Sequence, residues 1–160
     1  MRLITITVLL VCLSGCSVQD PNQCNEITYQ VDQNQLTADL TIIDQYLTDN
    51  NITAQIDDSG IRYVVTNQGT GNTIEACDFL DVQYKGRLMS TGEVFDSTGT
   101  RPISLNLREV IPGWQIGLPL VNRGNGEITL YIPSVYGYRS EGFGNVIPPD
   151  ANLIFDVKIN

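Results

Sequence analysis

Leu80-Asp81-Val82-Gln83-Tyr84-Lys85-Gly86-Arg87-Leu88 alternates without a break, Leu80, Val82, Tyr84, Gly86 and Leu88 falling on one face and Asp81, Gln83, Lys85 and Arg87 on the other. A period of two is what an extended chain needs when one face lies on a core and the other in water, so this stretch predicts a half-buried antiparallel strand. The same period recurs upstream in Ile61, Tyr63 and Val65, which alternate with Arg62 and Thr66, and downstream in Ile128, Leu130 and Ile132 and in Leu153, Phe155, Val157 and Ile159. Gln68-Gly69-Thr70-Gly71 and Ser90-Thr91-Gly92-Glu93 supply turn residues between the runs. Residues 111–118 open on Pro112 and are closed by Pro119, which suits a brief helix laid across the sheet. The fold class is α+β: a curved antiparallel sheet of about five to six strands wrapped on one short helix.

Ahead of the sheet the period changes. Leu36, Leu40, Ile43 and Leu47 recur at helical spacing, and Ile42 and Tyr46 widen the stripe. Asp32 followed by Gln35 resembles a capping box, and Asp49-Asn50-Asn51 supplies a stop. Two readings of the stripe stand: it packs on its own domain, or it is a face for dimerisation or for client chains. Before it, residues 17–28 are polar and aperiodic and read as a tether.

The first residues read as an export leader. Arg2 gives a positive start, and the apolar run over residues 3–13, too short to span a bilayer, ends in Leu13-Ser14-Gly15-Cys16. That ending resembles the bacterial lipobox, which implies cleavage before Cys16 and a lipid anchor on its thiol. An ordinary secretory signal with an incidental cysteine is the competing reading. The chain therefore divides into a leader (1–15), a tether (16–31), a helical appendage (32–58) and a globular domain (59–160), with the lipid holding it to a bacterial cell envelope, at the outer membrane. Of the four cysteines, Cys12 leaves with the leader and Cys16 carries lipid, so Cys24 and Cys77 remain, as a disulfide in an oxidising compartment or as two free thiols.

Charge and composition exclude whole classes of function. The formal net charge is −9, and −10 without Arg2, which argues against nucleic acid or an anionic lipid surface as partner. There is no histidine, so Ser-His-Asp and Cys-His catalysis and histidine-ligated metal sites are absent. No metal or other cofactor is expected.

Four motifs then fall in order: Val82-Gln83-Tyr84-Lys85-Gly86; Gly92-Glu93-Val94-Phe95-Asp96-Ser97; Val110-Ile111-Pro112-Gly113-Trp114; and residues 146–157, VIPPDANLIFDV. Together they resemble the signatures of FKBP-type peptidyl-prolyl cis-trans isomerases, over about residues 61–160, and the leader resembles that of the family's bacterial lipoprotein members. The resemblance implies a prolyl pocket with Trp114 as its floor and Tyr84, Phe95, Val110, Ile111 and Phe155 as walls. It places Asp96 and Tyr138 at the rim, the latter through Ile132-Pro133-Ser134-Val135-Tyr136-Gly137-Tyr138, with Ile147 nearby. Arg139 stands where the pattern has glycine, which predicts a different bend in that loop. Ile103 stands where many members carry an aromatic wall residue, residues 102–110 are about two shorter than usual, and Phe143 is placed to restore aromatic surface.

By themselves Trp114, Tyr84 and Phe155 also read as core, Asp96 as a turn residue and Tyr138 as loop surface. What the resemblance implies is an enzyme that rotates X-Pro bonds in unfolded or exported polypeptides, a reaction that moves no proton and suits a site without bases. The alternative is a non-catalytic chaperone module that holds clients in the same groove.

Overall fold

The computed structural model describes residues 29–160, so the leader, Cys16, Cys24 and nearly all of the tether lie outside the described residues. Helix α1 spans Gln33–Asp49. Asp32 caps it, its carboxylate accepting from the N–H groups of Asn34 at 2.8 Å and Gln35 at 3.2 Å. Only half of the expected capping box forms, because the Gln35 side chain turns away to Asp39. Asn51, with φ of 55°, ends the helix in the left-handed conformation that asparagine tolerates.

Seven strands make one sheet: β1 (Gln55–Ile56), β2 (Arg62–Asn67), β3 (Phe79–Leu88), β4 (Val94–Ser97), β5 (Ile103–Asn106), β6 (Gly126–Ile132) and β7 (Leu153–Ile159). Their order is β1-β2-β6-β7-β3-β4, every pairing antiparallel, with β5 also on β3. β4 and β5 share one edge of β3, β4 facing Lys85, Gly86 and Arg87 and β5 facing residues 79–82. β1 lies inside the stretch 32–58 assigned from sequence to the appendage, and neither β1 nor β5 is long enough to display a period. The short helix expected between Pro112 and Pro119 is α2, Pro112–Gly117, continued by a 3-10 turn at Leu118–Leu120.

The sheet has two covered faces. Ile61, Leu80, Val82, Ile128, Leu130, Ile132, Leu153, Phe155 and Val157 form the main core with Trp114 and Leu118 of and beyond α2. α2 approaches closely because Gly113 carries no side chain, where a Cβ would lie 2.5 Å from Ile132 Cγ2. The opposite face of β2, β6 and β7 is covered by α1, whose Ile43 and Leu47 pack with Met89, Tyr131 and Ile154. The stripe of α1 therefore seats on its own sheet, except that Ile42, expected in it, stays 56 % exposed. For the same reason Arg62, on the polar side of the β2 alternation, is only 8 % exposed. It is held there by a two-point contact to Asp44 of α1 (Nε–Oδ1 2.9 Å, Nη2–Oδ2 2.8 Å) and by the Gly60 carbonyl. Among the described residues no helix is long and apolar enough to cross a membrane.

Candidate active site

The inward face of β3 and β7 delivers Tyr84 and Phe155, the N-terminal half of α2 delivers Trp114, and β4 delivers Phe95 and Asp96. Their rings meet edge to face: Tyr84 on Trp114 at 5.1 Å between centroids, Trp114 on Phe155 at 5.3 Å and Phe95 on Phe155 at 5.5 Å. Edge-to-face packing sets each ring's positive rim against its neighbour's negative face, which fixes ring orientation as well as burying area. Trp114 lies at the bottom, buried, while Tyr84, Phe95 and Tyr138 are half-buried and Asp96 is exposed above them.

The wall depends on a residue whose role the sequence does not advertise. A Cβ at Gly86 would sit 2.6 Å from Phe95 Cζ and 2.7 Å from Phe155 Cε1, so both rings occupy the space left by a missing side chain. In the alternation Gly86 reads merely as a small inward residue, and only the cross-strand registers Gly86↔Asp96 and Gly86↔Phe155 bring the two rings over it.

The polar atoms fall into two groups. The Tyr84 hydroxyl donates to Asp96 Oδ2 at 2.5 Å, and Asp96 Oδ1 accepts from the Ser97 N–H at 2.8 Å. Burial, reinforced by that carboxylate, pushes the Tyr84 phenol well above its usual range. Asp96 is thus committed to holding Tyr84 and the backbone of β4. The Tyr138 hydroxyl, by contrast, has no hydrogen-bond partner among the described residues, although Tyr138 is near enough to Asp96 for the charge to add to burial in raising its phenol. A free donor stands near Tyr84 and Asp96, at the edge of the ring cluster. The Trp114 indole N–H is likewise buried with no acceptor among the described residues, which costs stability.

Val110 and Ile111 lead into α2, half-buried against the core, with the Val110 carbonyl accepting from Gln115 Nε2 at 2.7 Å. Ile147 is buried in the main core, and its backbone pairs with Phe143, N–H to carbonyl at 2.8 and 3.1 Å. That pairing sets the Phe143 ring 5.3 Å from the Tyr138 ring, at the open side of the site. Ile103 is not gathered in: it sits on β5 opposite Val82, 44 % exposed, outside the ring cluster. The bend expected to change at Arg139 keeps glycine-like geometry instead. Arg139 adopts φ of 53°, with its Nε donating to the Val135 carbonyl at 3.2 Å and its own carbonyl accepting from the Asp150 N–H at 2.8 Å.

Two grooves lie elsewhere. One of about 510 Å³ runs over the outer face of the sheet and another of about 710 Å³ lies between α1 and Pro148-Pro149. The first lies on the part of the outer face that α1 leaves uncovered, a solvated surface laced with pairs such as Lys158–Glu127 and Arg87–Asp156, and neither groove is lined by Trp114 or Phe155.

Residues 71–160 match the family model of the FKBP-type peptidyl-prolyl cis-trans isomerases. The chain belongs to this family. It is 46 % identical over 103 residues to a probable FKBP-type peptidyl-prolyl cis-trans isomerase FkpA of Neisseria meningitidis, covering 63 % of this chain and 37 % of that one. To FkpA of Escherichia coli K12 it is 40 % identical over 103 residues, with the same shares covered. The match thus spans well under half the length of these two relatives. In three dimensions it resembles a peptidyl-prolyl cis-trans isomerase of Pseudomonas syringae, with a TM-score of 0.67 and 29 % identity over 82 % of this chain and 96 % of that one. The FKBP signature at Trp114 and the ring cluster on Gly86 are two views of one site.

Cys77 is disulfide-bonded. Cys24, the partner expected from the sequence, lies outside the described residues.

Proposed function

We propose that this FKBP-family chain is a peptidyl-prolyl cis-trans isomerase acting on proline-containing segments of exported polypeptides. We propose further that Cys16 is lipidated and tethers the domain to a bacterial envelope, at the outer membrane. Rotation about an X-Pro bond faces a barrier of about 18–20 kcal/mol because resonance is lost at the perpendicular geometry, yet trans is preferred by only about 0.5–1 kcal/mol. A catalyst has only to make the twisted amide less unfavourable relative to the planar one.

The planar amide has the more charge-separated carbonyl, so transfer from water to the rings of Trp114, Tyr84 and Phe155 disfavours it more than the twisted form. Tyr138 holds a substrate carbonyl by donating its hydroxyl, and its raised phenol keeps the proton in place at neutral pH. Asp96 acts as no base; it is occupied in orienting Tyr84. The observation that carries the reading is the unpaired Tyr138 hydroxyl at the edge of a ring cluster whose other hydroxyl, on Tyr84, is already bonded to Asp96.

A protease-coupled assay on proline tetrapeptides that vary the residue before proline tests the activity. Trp114→Ala is expected to remove most of the acceleration while the protein stays folded, and an unaltered rate in that variant places the site elsewhere. Mass spectrometry of the mature amino terminus tests the anchor: a diacylated Cys16 supports it, and an intact leader or an unmodified thiol refutes it.

A further inference from the structure

Asp39 lies on the inward side of α1 with 1 % of its surface exposed, yet no cation pairs with it among the described residues. Two neutral donors satisfy it instead: the Ser134 hydroxyl reaches Oδ2 at 2.7 Å and the Gln35 amide reaches Oδ1 at 3.0 Å. Ser134 is fully buried, and its backbone N–H donates in turn to Asn152 Oδ1 at 3.0 Å, just before β7. An apolar side chain at position 39 would seat the helix on the sheet without desolvating a carboxylate, so helix attachment alone does not account for this network.

The network converges on the root of the loop that presents Tyr138. Ser134 opens the 3-10 turn Ser134–Tyr136, its carbonyl accepts from the Gly137 N–H at 2.9 Å, and Tyr138 follows directly. Beyond Tyr138 the chain is held by its own bonds, Gly142 N–H to the Tyr138 carbonyl at 3.0 Å and Asp150 N–H to the Arg139 carbonyl at 2.8 Å. Three hydrogen bonds through side chains thus fix the start of the loop to the rest of the molecule: Asp39 and Asn152 hold Ser134, and the Tyr136 hydroxyl donates to the Ser59 carbonyl at 3.2 Å.

We propose that Asp39 is a positioning residue of the isomerase site: through its carboxylate on Ser134, α1 sets the angle at which Tyr138 offers its hydroxyl. This rests on the reading of the site as a prolyl isomerase. It makes α1, which lies outside the stretch 71–160 matched by the family model, a working part of the site.

The test uses the full chain and a four-member cycle of wild type, Asp39→Ala, Tyr138→Phe and the double variant, with rates measured well below each unfolding midpoint. Asp39→Ala is expected to lower kcat/KM roughly tenfold, within the range of coupling among members of one hydrogen-bond network, and to lower it no further in the Tyr138→Phe background. Asp39→Asn keeps shape and an acceptor for Ser134, while Gln35 can turn its amide to suit, so it is expected to restore most of the rate. Ser134→Ala removes the same bond from the other side and replaces Asp39→Ala if that variant fails to fold. Losses that multiply in the double variant, or an unchanged rate in folded Asp39→Ala, overturn the proposal. The Tyr138 ring resonances decide it independently of turnover: a shift in Asp39→Ala that returns in Asp39→Asn supports positioning, and no shift refutes it. A wild-type chain that fails to accelerate prolyl peptides refutes the activity, while the ring resonances still judge the role of Asp39.

Discussion

Replacing Gly86 with alanine adds one methyl group at the point where the two wall rings meet. Its carbon would lie 2.6 Å from Phe95 Cζ, 2.7 Å from Phe155 Cε1 and 2.8 Å from Phe95 Cε2, all below the distance at which carbons can remain. The backbone of β3 cannot retreat, because it is bonded to β4 on one side and β7 on the other at that residue. The rings must therefore swing away, and Phe155 carries contacts to Tyr84 and Trp114 with it. Overpacking of this kind costs about 1–3 kcal/mol, which at this chain length lowers the midpoint of thermal unfolding by roughly 2–12 °C. The site should suffer more than the fold, with kcat/KM on a proline tetrapeptide falling by roughly tenfold or more as the walls move, since even small misplacement of a site is felt strongly. Leu47→Ala supplies the control: it removes a buried side chain from the α1 face, costs about 2–5 kcal/mol, and leaves every ring of the site in place. Measured below both midpoints, a Gly86→Ala rate equal to that of wild type would refute the claim that this glycine holds the walls.

Two further outcomes follow from the same geometry. Burial raises the phenols of Tyr29, Tyr84, Tyr131, Tyr136 and Tyr138 above their ordinary value of 10.0, so the folded state resists ionisation that the unfolded chain accepts. Their contribution to stability is complete below pH 10 and is lost as pH rises through the folded values, so unfolding midpoints should be insensitive to these groups through neutral pH and fall above pH 10, as phenolate absorbance in the folded protein lags behind that of the denatured chain. A phenolate titration identical in both states would refute this. Asp44→Ala leaves the largely buried Arg62 guanidinium with only the Gly60 carbonyl; because Asp44 is itself half exposed, the loss should be about 1–3 kcal/mol, and an unchanged denaturant midpoint would show that this pair does not fasten α1.

Local patterns carried a large part of this protein into view, since a strand must alternate and a helix must recur every three to four residues whatever surrounds them. β2, β3, β6, β7, α1 and α2 all stand where period and punctuation put them, and the ordered motifs carry Tyr84, Phe95, Asp96, Trp114 and Phe155 to the site they share. β1 and β5 escaped because strands of two and four residues have no period to read. Ile42 was assigned to a buried stripe it does not join, and Arg62 to a solvated face, because helical and strand periods say which residues share a side and nothing about what covers it. Arg139 breaks the glycine pattern and still takes positive φ, a choice made by the bonds at either side of it and not by its own preference.

The sequence by itself therefore determined the longer elements, their chemistry and the family, each being written in residues near one another along the chain. Only the tertiary structure decided which polar groups are spent and which are free: Tyr84 on Asp96, Ser134 on Asp39 across 95 residues, and Tyr138 on nothing among the described residues. Hydrogen-bond partnership at such separations depends on sheet register and on how a helix seats across it, and neither leaves a periodic trace in the order of the amino acids.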